Sequence, residues 1–160
     1  MKNPVIKIPV RDFGTMTAEL YGNAAPITVQ NFVNLAESGF YTGLKFHRII
    51  EGFMMQGGAS ENPPASIVGE FASNGIENNL KHTRGVISMA RTPIKDSASS
   101  QFFIMHQDAP HLDGEYAAFG WVTSGIEVVD AICDSTQVID GNGTVLPGYE
   151  PIIKEIRIVE

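Results

Sequence analysis

From Phe46 to Gly58 the chain reads Phe-His-Arg-Ile-Ile-Glu-Gly-Phe-Met-Met-Gln-Gly-Gly. Two short apolar runs flank Glu51-Gly52, which is the pattern of a β-hairpin. Strict alternation would put Phe46, Arg48 and Ile50 on one face of the first strand. A guanidinium among apolar side chains needs acceptors, because an unpaired buried charge is costly. Arg48 is therefore either part of a structural ion pair or a functional cation, and the hairpin alone leaves both possibilities open.

Further strands are predicted on both sides of this hairpin. Apolar and polar residues alternate, or short apolar runs occur, over residues 6–10, 16–21, 86–90, 101–105, 118–122 and 156–159. With the hairpin, this gives about eight strands. Residues 57–84 are rich in Gly, Asn, Ser and Pro and show little periodicity, so they are predicted to form a long ordered loop.

Two helices are predicted. The first covers residues 26–38, since proline suits the first helical position and apolar residues recur with helical spacing at Val29, Phe32, Val33 and Ala36. The second begins at Ser124, which forms a capping-box pattern with Glu127 three residues later. Most strands have no helix between them, which disfavours a parallel sheet. The predicted fold is mainly β: a closed eight-stranded antiparallel β-barrel capped by two α-helices.

Length, composition and net charge restrict the number of domains and the kinds of partner. The 160 residues, 43% of them hydrophobic, predict one domain over residues 1–160. Eleven basic against 18 acidic residues give a net charge of −7, which argues against nucleic acid as a partner. One cysteine, no apolar run of membrane-spanning length and no signal-peptide core near the start predict a cytoplasmic protein with no membrane partner. A small barrel without an obvious apolar stripe is expected to be a monomer.

Common catalytic and binding motifs do not indicate a function for this chain. The four histidines lack metal-ligand spacing, so no metal site is predicted. Ser97, Ser99 and Ser100 lie outside a nucleophile elbow, and Cys133 falls on the apolar face of a helix. Asn142 begins an Asn-Gly-Thr triplet that matches a glycosylation signal by chance. No phosphate-binding glycine motif is present, and no cofactor is expected.

A longer set of motifs resembles a known family. The hairpin motif is followed by Ser-Ala-Ser-Ser-Gln-Phe-Phe-Ile at 97–104, His-Leu-Asp-Gly at 111–114 and Phe-Gly-Trp-Val at 119–122. In this order they strongly resemble the cyclophilins, which are peptidyl-prolyl cis-trans isomerases (EC 5.2.1.8), in their compact bacterial form. The resemblance runs nearly end to end. It implies an eight-stranded barrel with two helices and an activity that rotates X–Pro bonds in peptides and folding proteins.

The resemblance also implies roles for residues of this sequence. Arg48 would stabilise the twisted amide, and Gln56 would bind the substrate backbone and help place Arg48. The walls of the proline pocket would be Phe53, Met54, Phe103 and Leu112. Gln101 would line the groove, and substrate main chain would pair along Ala90, Arg91 and Thr92. Proline-containing peptides and unfolded or flexible protein segments are the implied partners.

Three positions depart from the family pattern. His111 stands where many members have a tryptophan associated with tight cyclosporin binding, so cyclosporin is expected to bind only weakly. Tyr116 stands where the family has a pocket histidine, and Arg91-Thr92 replaces a frequent Asn-Ala pair. An alternative function is a chaperone-like module that binds proline segments without useful turnover. The presence of Arg48, Phe53, Gln56 and Phe103 favours catalysis over that alternative.

Overall fold

The computed structural model describes residues 3–159. Its eight strands are β1 Val5–Val10, β2 Gly14–Leu20, β3 Phe46–Ile50, β4 Met54–Gly57, β5 Val86–Met89, β6 Phe102–Met105, β7 Ala118–Ser124 and β8 Arg157–Ile158. The two α-helices are α1 Pro26–Glu37 and α2 Ile126–Ser135. The predicted mainly β fold with two helices is confirmed. No helix within residues 3–159 is long and apolar enough to cross a membrane.

All strand pairs are antiparallel, and the strand order in the sheet is β3-β4-β6-β5-β7-β2-β1-β8. The sheet curls into a barrel, but its two edge strands, β3 and β8, are not paired with each other. Isolated bridges span the gap instead, joining Val10 to Ile153 and Lys45 to Ile152. The prediction of a closed barrel was therefore wrong in one respect, because closure comes from an irregular segment and not from a continuous ladder.

Helix α1 begins at Pro26, as predicted, and its free N-terminal amides are bound by a distant carboxylate. Glu70, only 3% exposed, accepts hydrogen bonds from the Thr28 amide (2.6 Å), the Thr28 hydroxyl (2.7 Å) and the Ile27 amide (3.2 Å). A carboxylate at a helix N-terminus satisfies orphan donors and interacts favourably with the helix dipole. Glu70 lies in the long loop 57–84, so this contact fixes the loop against the helix.

The predicted capping box of α2 does not form. Ser124 is the last residue of β7, where it pairs with Thr17, and Gly125 occupies the cap position without any side-chain cap bond. Gly125 has φ +85, and a Cβ there would lie 2.5 Å from the Thr15 carbonyl oxygen. The tight strand-to-helix turn therefore requires glycine, and it places Ser124 outside capping range.

The barrel interior is filled by aromatic and aliphatic side chains. Phe32 of α1 lies at its centre, with ring centroids 5.0 Å from Tyr41, 5.4 Å from Phe102 and 5.2 Å from Phe119. All four rings are fully buried. Aromatic rings at these separations stabilise a core beyond the effect of the area they bury. Helix α1 is therefore an integral part of the core, closing one end of the barrel.

Replacing Phe32 with alanine should lower the free energy of unfolding by about 3–5 kcal/mol, because it leaves a large cavity between three rings. Chemical denaturation followed by circular dichroism measures this change. The matched control is Ile27→Ala on the same helix, where the side chain is 49% exposed and a change within about 0.5 kcal/mol is expected. Equal losses in the two variants would contradict the central place of Phe32.

Candidate active site

Strand β3 changes the face it presents between Phe46 and Arg48. The pairing of β3 with β4 shifts register there, so His47 is an extra residue relative to the partner strand. Phe46 is fully buried in the barrel core, whereas Arg48 is partly exposed and lines a cleft on the outer face. The predicted common face of Phe46, Arg48 and Ile50 was wrong for Phe46. The bulge is the reason, because one inserted residue reverses the direction of every side chain after it.

The register then aligns one row of side chains across four strands. Arg48 is opposite Gln56, Gln56 is opposite Phe103, and Phe103 is opposite Ser88. Directly opposed residues of paired strands project from the same face of a sheet. The row therefore carries a cation, an amide, an aromatic ring and a hydroxyl side by side on the outer surface of the barrel.

An apolar cluster surrounds this row. It is separate from the barrel core and is formed by Met54, Val86, Phe103, Met105, Ala109, Leu112 and Ala118. A cavity of about 120 Å³ opens above it. The cavity is lined by Arg48, Phe53, Met54, Gln56, Ala90, Arg91, Phe103, Leu112 and Tyr116. Nine of the twelve residues assigned to the site from the sequence thus line one cavity.

Arg48 is held by neutral acceptors. Its Nε donates to the Asn142 carbonyl (2.8 Å), its Nη2 donates to Asn142 Oδ1 (3.2 Å) and its Nη1 donates to Gln56 Oε1 (3.3 Å). No carboxylate lies within ion-pair distance of Arg48 in the described part of the chain. The ion-pair alternative for this residue is therefore wrong. The guanidinium lies at the edge of the cavity with only uncharged acceptors around it.

Gln56 connects Arg48 to the rest of the groove. Because arginine can only donate, Gln56 must turn its oxygen to Arg48, and its Nε2 donates to Gln101 Oε1 at 3.0 Å. Gln101 does not line this cavity. It lines an adjoining cleft together with Gln56, Ala90, Arg91, Thr92, Ser97 and Ser99. The site is thus two neighbouring cavities that share a wall at Gln56, Ala90 and Arg91.

His111 lies at the rim and lines neither cavity. Its ring is 5.8 Å from that of Phe53 and tilted by 32°. Tyr116 packs edge-on against Phe103, at 5.6 Å and 87°. These two residues replace side chains that the family pattern led us to expect, and both still contact a wall of the apolar cavity.

A buried hydrogen-bonded chain supports the cavity from below. His82 Nδ1 donates to Asp113 Oδ1 at 3.0 Å, and the Ser88 hydroxyl donates to His82 Nε2 at 2.9 Å. The His82 ring stacks on Phe103 at 6.0 Å and 20°. Burial is the main cause that lowers the pKa of His82, against the opposing effect of Asp113. The neutral ring thus fixes Phe103 and the loop that carries Leu112.

A second network fixes the turn that carries Phe53. The Gly52 amide donates to His106 Nδ1 (2.8 Å), so the proton of this ring is on Nε2, which faces Asp130 Oδ1 at 3.2 Å. Arg84 pairs with both oxygens of Asp130, at 2.6 and 2.7 Å, and lowers the pKa of that carboxyl. The His106 amide also donates to the Phe53 carbonyl. The turn at Phe53 is therefore anchored to helix α2 through the side chains of His106, Arg84 and Asp130, the last of which belongs to the helix.

Residues that sequence reasoning missed contribute to both cavities. Asn142, His82, Asp113, Ser97 and Ser99 had no assigned role, although Asn142 supplies two acceptors to Arg48 from 94 positions away. In the sequence, Asn142 stands out only as the first residue of an Asn-Gly-Thr triplet, which says nothing about a contact with Arg48. No local sequence signal identifies such a partner, because it is brought in by the segment that bridges the open side of the barrel.

Other chemistries lack support in the geometry. Ser100 is 1% exposed and donates to the Gly58 carbonyl, and burial raises the pKa of the Cys133 thiol to about 12. A thiol with so high a pKa is a poor nucleophile at neutral pH. Within residues 3–159, no three His, Cys, Asp or Glu side chains are arranged to hold a metal ion.

Stability should decrease as the pH falls below about 6.5, the ordinary pKa of histidine. The lowered pKa of His82 means that the unfolded chain takes up a proton in this range before the native state does. The free energy of unfolding is measured by urea titration between pH 7.5 and 5. His82→Gln should flatten the dependence, and an unchanged slope in that variant would contradict the role of the buried ring.

The fold and the site together define a class: an antiparallel barrel whose outer face carries a small apolar cavity beside a cation. Comparison with known proteins then gives the family. The family described as cyclophilin type peptidyl-prolyl cis-trans isomerase/CLD matches residues 5–159. The chain belongs to this family, and it is a peptidyl-prolyl cis-trans isomerase.

Individual relatives and a solved structure carry the name of the same family. Peptidyl-prolyl cis-trans isomerase A of Dickeya dadantii is 40% identical over 160 residues, covering 92% of this chain and 80% of its own length. Peptidyl-prolyl cis-trans isomerase B of Bacillus subtilis is 45% identical over 119 residues, covering 74% and 82%. A Cryptosporidium parvum cyclophilin structure superposes with a TM-score of 0.84 at 29% identity, covering 99% and 98%. The same cyclophilin was also crystallised in the presence of the dipeptide Ala-Pro.

Proposed function

We propose that Arg48 is the catalytic residue and that it acts on the prolyl nitrogen. Rotation of an X–Pro bond must break amide resonance, with a barrier of roughly 18–20 kcal/mol. In the twisted state the nitrogen becomes pyramidal and gains a lone pair, which a guanidinium donor stabilises. Three observations support this role for Arg48: it is a cation, it lines the cavity wall, and its hydrogen bonds go to uncharged acceptors. No covalent step and no cofactor are required.

The apolar cavity would hold the proline ring while the peptide rotates. Phe53, Met54, Phe103 and Leu112 provide its walls, with Tyr116 at the rim. These walls belong to strands, or to turns fixed by the two hydrogen-bonded networks, so they need little reorganisation on binding. An enzyme of this kind accelerates the reaction by binding the twisted amide more tightly than either planar form. A fixed cavity beside a fixed cation meets that requirement.

Polar groups along the groove would bind the substrate main chain. Gln56 is the second proposed catalytic residue, because it contacts Arg48 directly and lines both cavities. Gln101 is hydrogen-bonded to Gln56, and Ala90, Arg91 and Thr92 form the neighbouring edge. Backbone pairing along such an edge tolerates many side chains. His111 is assigned to the rim of the proline cavity through its contact with Phe53.

The proposed substrates are proline-containing peptides and unfolded or flexible protein segments, as expected of a chaperone that assists folding. We propose that residues 1–160 form one domain, because a single sheet runs from Val5 to Ile158. Residues 1, 2 and 160 lie outside the described part of it. We also propose a monomer, since one chain supplies both cavities. A cytoplasmic location is proposed on the single, unpaired Cys133.

Arg48→Ala should lower kcat/KM for an Ala-Pro peptide by roughly 100- to 1000-fold, because it removes one charged donor from the transition state. Cis/trans exchange measured by NMR, or with a conformer-selective protease, follows the reaction. Peptide binding should weaken far less than catalysis, since the apolar walls remain. This difference separates an enzyme from a module that only binds.

The matched control is Arg11→Ala, in the exposed turn between β1 and β2, which should keep wild-type activity. A wild-type chain that fails to accelerate the exchange would overturn the proposed turnover. An Arg48→Ala variant with full activity would leave the family intact but contradict the mechanism.

Cyclosporin should bind weakly, because His111 offers less apolar surface at the rim than a tryptophan would. His111→Trp should tighten the dissociation constant by roughly tenfold, which corresponds to about 1.4 kcal/mol. Isothermal titration calorimetry measures both affinities. Trp121→Phe is the control and should leave binding unchanged, because Trp121 lines neither cavity. Tight binding by the wild type would refute this argument.

A further inference from the structure

The two adjoining cavities carry a charge opposite to that of the whole chain. The protein has 18 acidic and 11 basic residues, a net charge of −7. Yet the side chains that line the cavities include two arginines, Arg48 and Arg91, and no carboxylate. Positive charge in a groove with low-dielectric walls focuses the local field. A peptide in this groove therefore meets a cationic surface on an anionic protein.

Arg91 is held rigidly between the two cavities. Its Nε and Nη2 donate to the Glu115 carbonyl at 3.0 and 2.7 Å, and its Nη1 donates to the Thr92 carbonyl at 3.0 Å. Its guanidinium carbon lies 4.7 Å from the centre of the Phe71 ring and 4.9 Å from that of Tyr116. A side chain fixed in this way loses little conformational entropy when it binds a ligand.

The charge of Arg91 is not neutralised. All its acceptors are carbonyl groups, and no carboxylate oxygen lies within 4 Å of its nitrogens among residues 3–159. An arginine has five N–H groups, and the three bonds above leave two of them for a ligand. Glu115 contributes its main chain to this contact, and no ion pair joins its carboxylate to Arg91.

The rest of the second cleft suits an anionic side chain. Its other lining groups are the hydroxyls of Thr92, Ser97 and Ser99 and the amides of Gln56 and Gln101. The hydroxyl protons of Thr92 and Ser97 are already donated, to Ser97 Oγ and to the Ile94 carbonyl. The groups that can donate to a carboxylate are therefore the Ser99 hydroxyl and the side-chain amides of Gln56 and Gln101. Hydrogen bonds to an ionised acceptor are about twice as strong as neutral ones. A lysine or arginine of the substrate would instead meet the like charge of Arg91.

We propose that Arg91 is a specificity-determining residue that makes this isomerase prefer acidic peptides. The preferred substrate carries a glutamate or aspartate two or three residues from the isomerised proline, and its carboxylate binds Arg91 in the second cleft. The proposal rests on the proposed function, because the proline must occupy the neighbouring cavity. It goes beyond that function by assigning the chemical class of the substrate.

The test compares matched peptides that contain one Ala-Pro bond and carry either Glu or Gln. The Glu or Gln is moved through the positions two and three residues before and after the proline. The measured quantity is the ratio of kcat/KM for Glu over Gln, from NMR exchange at low ionic strength. For the wild type, we expect a ratio of roughly 3 to 5 at one or more positions, because a partly exposed ion pair contributes modestly. The ratio should fall towards 1 in about 1 M salt.

Three variants assign the preference to Arg91. Arg91→Gln should bring the ratio to about 1, and Arg91→Lys should keep part of the preference because it keeps the charge. Arg157→Gln is the matched control: it removes the same charge from an exposed position on strand β8 and should leave the ratio at the wild-type value.

A wild-type ratio of 1 or less at every position would overturn the proposal, as would a preference that survives Arg91→Gln. An equal loss of the preference in Arg157→Gln would also overturn it, by showing an effect of net charge alone. If the wild type fails to isomerise even the Gln peptides, the proposed function itself fails. The two failures are therefore distinguishable in one set of measurements.

Discussion

The register shift between Phe46 and Arg48 determines the face of the barrel on which the proposed catalytic arginine lies. Without the extra residue, a strand that buries Phe46 in the barrel would direct Arg48 inwards as well. An unpaired guanidinium in the core would cost several kcal/mol. The bulge lets one strand serve the core with Phe46 and the cleft with Arg48. Gly57 pairs opposite Phe46, and a Cβ there would lie 2.7 Å from the Lys45 carbonyl oxygen, so the close approach of β4 to the bulge requires glycine.

The cleft is the outer surface of a sheet, and it is rigid for that reason. The row from Arg48 to Ser88 is set by strand pairing, which involves backbone hydrogen bonds and no side-chain choice. Two hydrogen-bonded networks, one through His82 and one through His106, fix the turns that add Phe53 and Leu112 to the walls. Catalysis by electrostatic stabilisation requires such preorganisation, because dipoles that must reorient during the reaction lose most of their effect.

Much of this could be predicted from the sequence, and the reasons are local. Residues 46–58 and 101–105 are short segments whose own alternation predicts strands, and the motif places Arg48, Gln56 and Phe103 within them. Helix α1 is predicted from Pro26 at its first position and from the helical spacing of its apolar residues. The predicted strands and helix depend on periods of two or 3.6 residues, which neighbouring residues determine. The roles predicted for Arg48, Gln56 and Phe103 depend instead on the resemblance of the motifs to the cyclophilins.

The features that could not be predicted depend on distant parts of the chain. The bulge arises from pairing between strands, and the absence of the cap at Ser124 from the close approach of Gly125 to Thr15. The irregular closure of the barrel arises from the segment around Ile152, which bridges its open side. Asn142 reaches Arg48 across 94 positions, and Asp113 reaches His82 across 31. No periodicity within one segment encodes these contacts.

In the proposed mechanism, Arg48 is directed outwards by the bulge and contacts the nitrogen of a proline whose ring fills the apolar cavity. A crystal structure of the protein with a bound Ala-Pro-containing peptide would show whether this contact forms. We expect the ring to lie between Phe53, Met54, Phe103 and Leu112, with a nitrogen of Arg48 within hydrogen-bonding reach of the prolyl nitrogen. A peptide whose proline lies outside this cavity, or whose prolyl nitrogen faces away from Arg48, would contradict it.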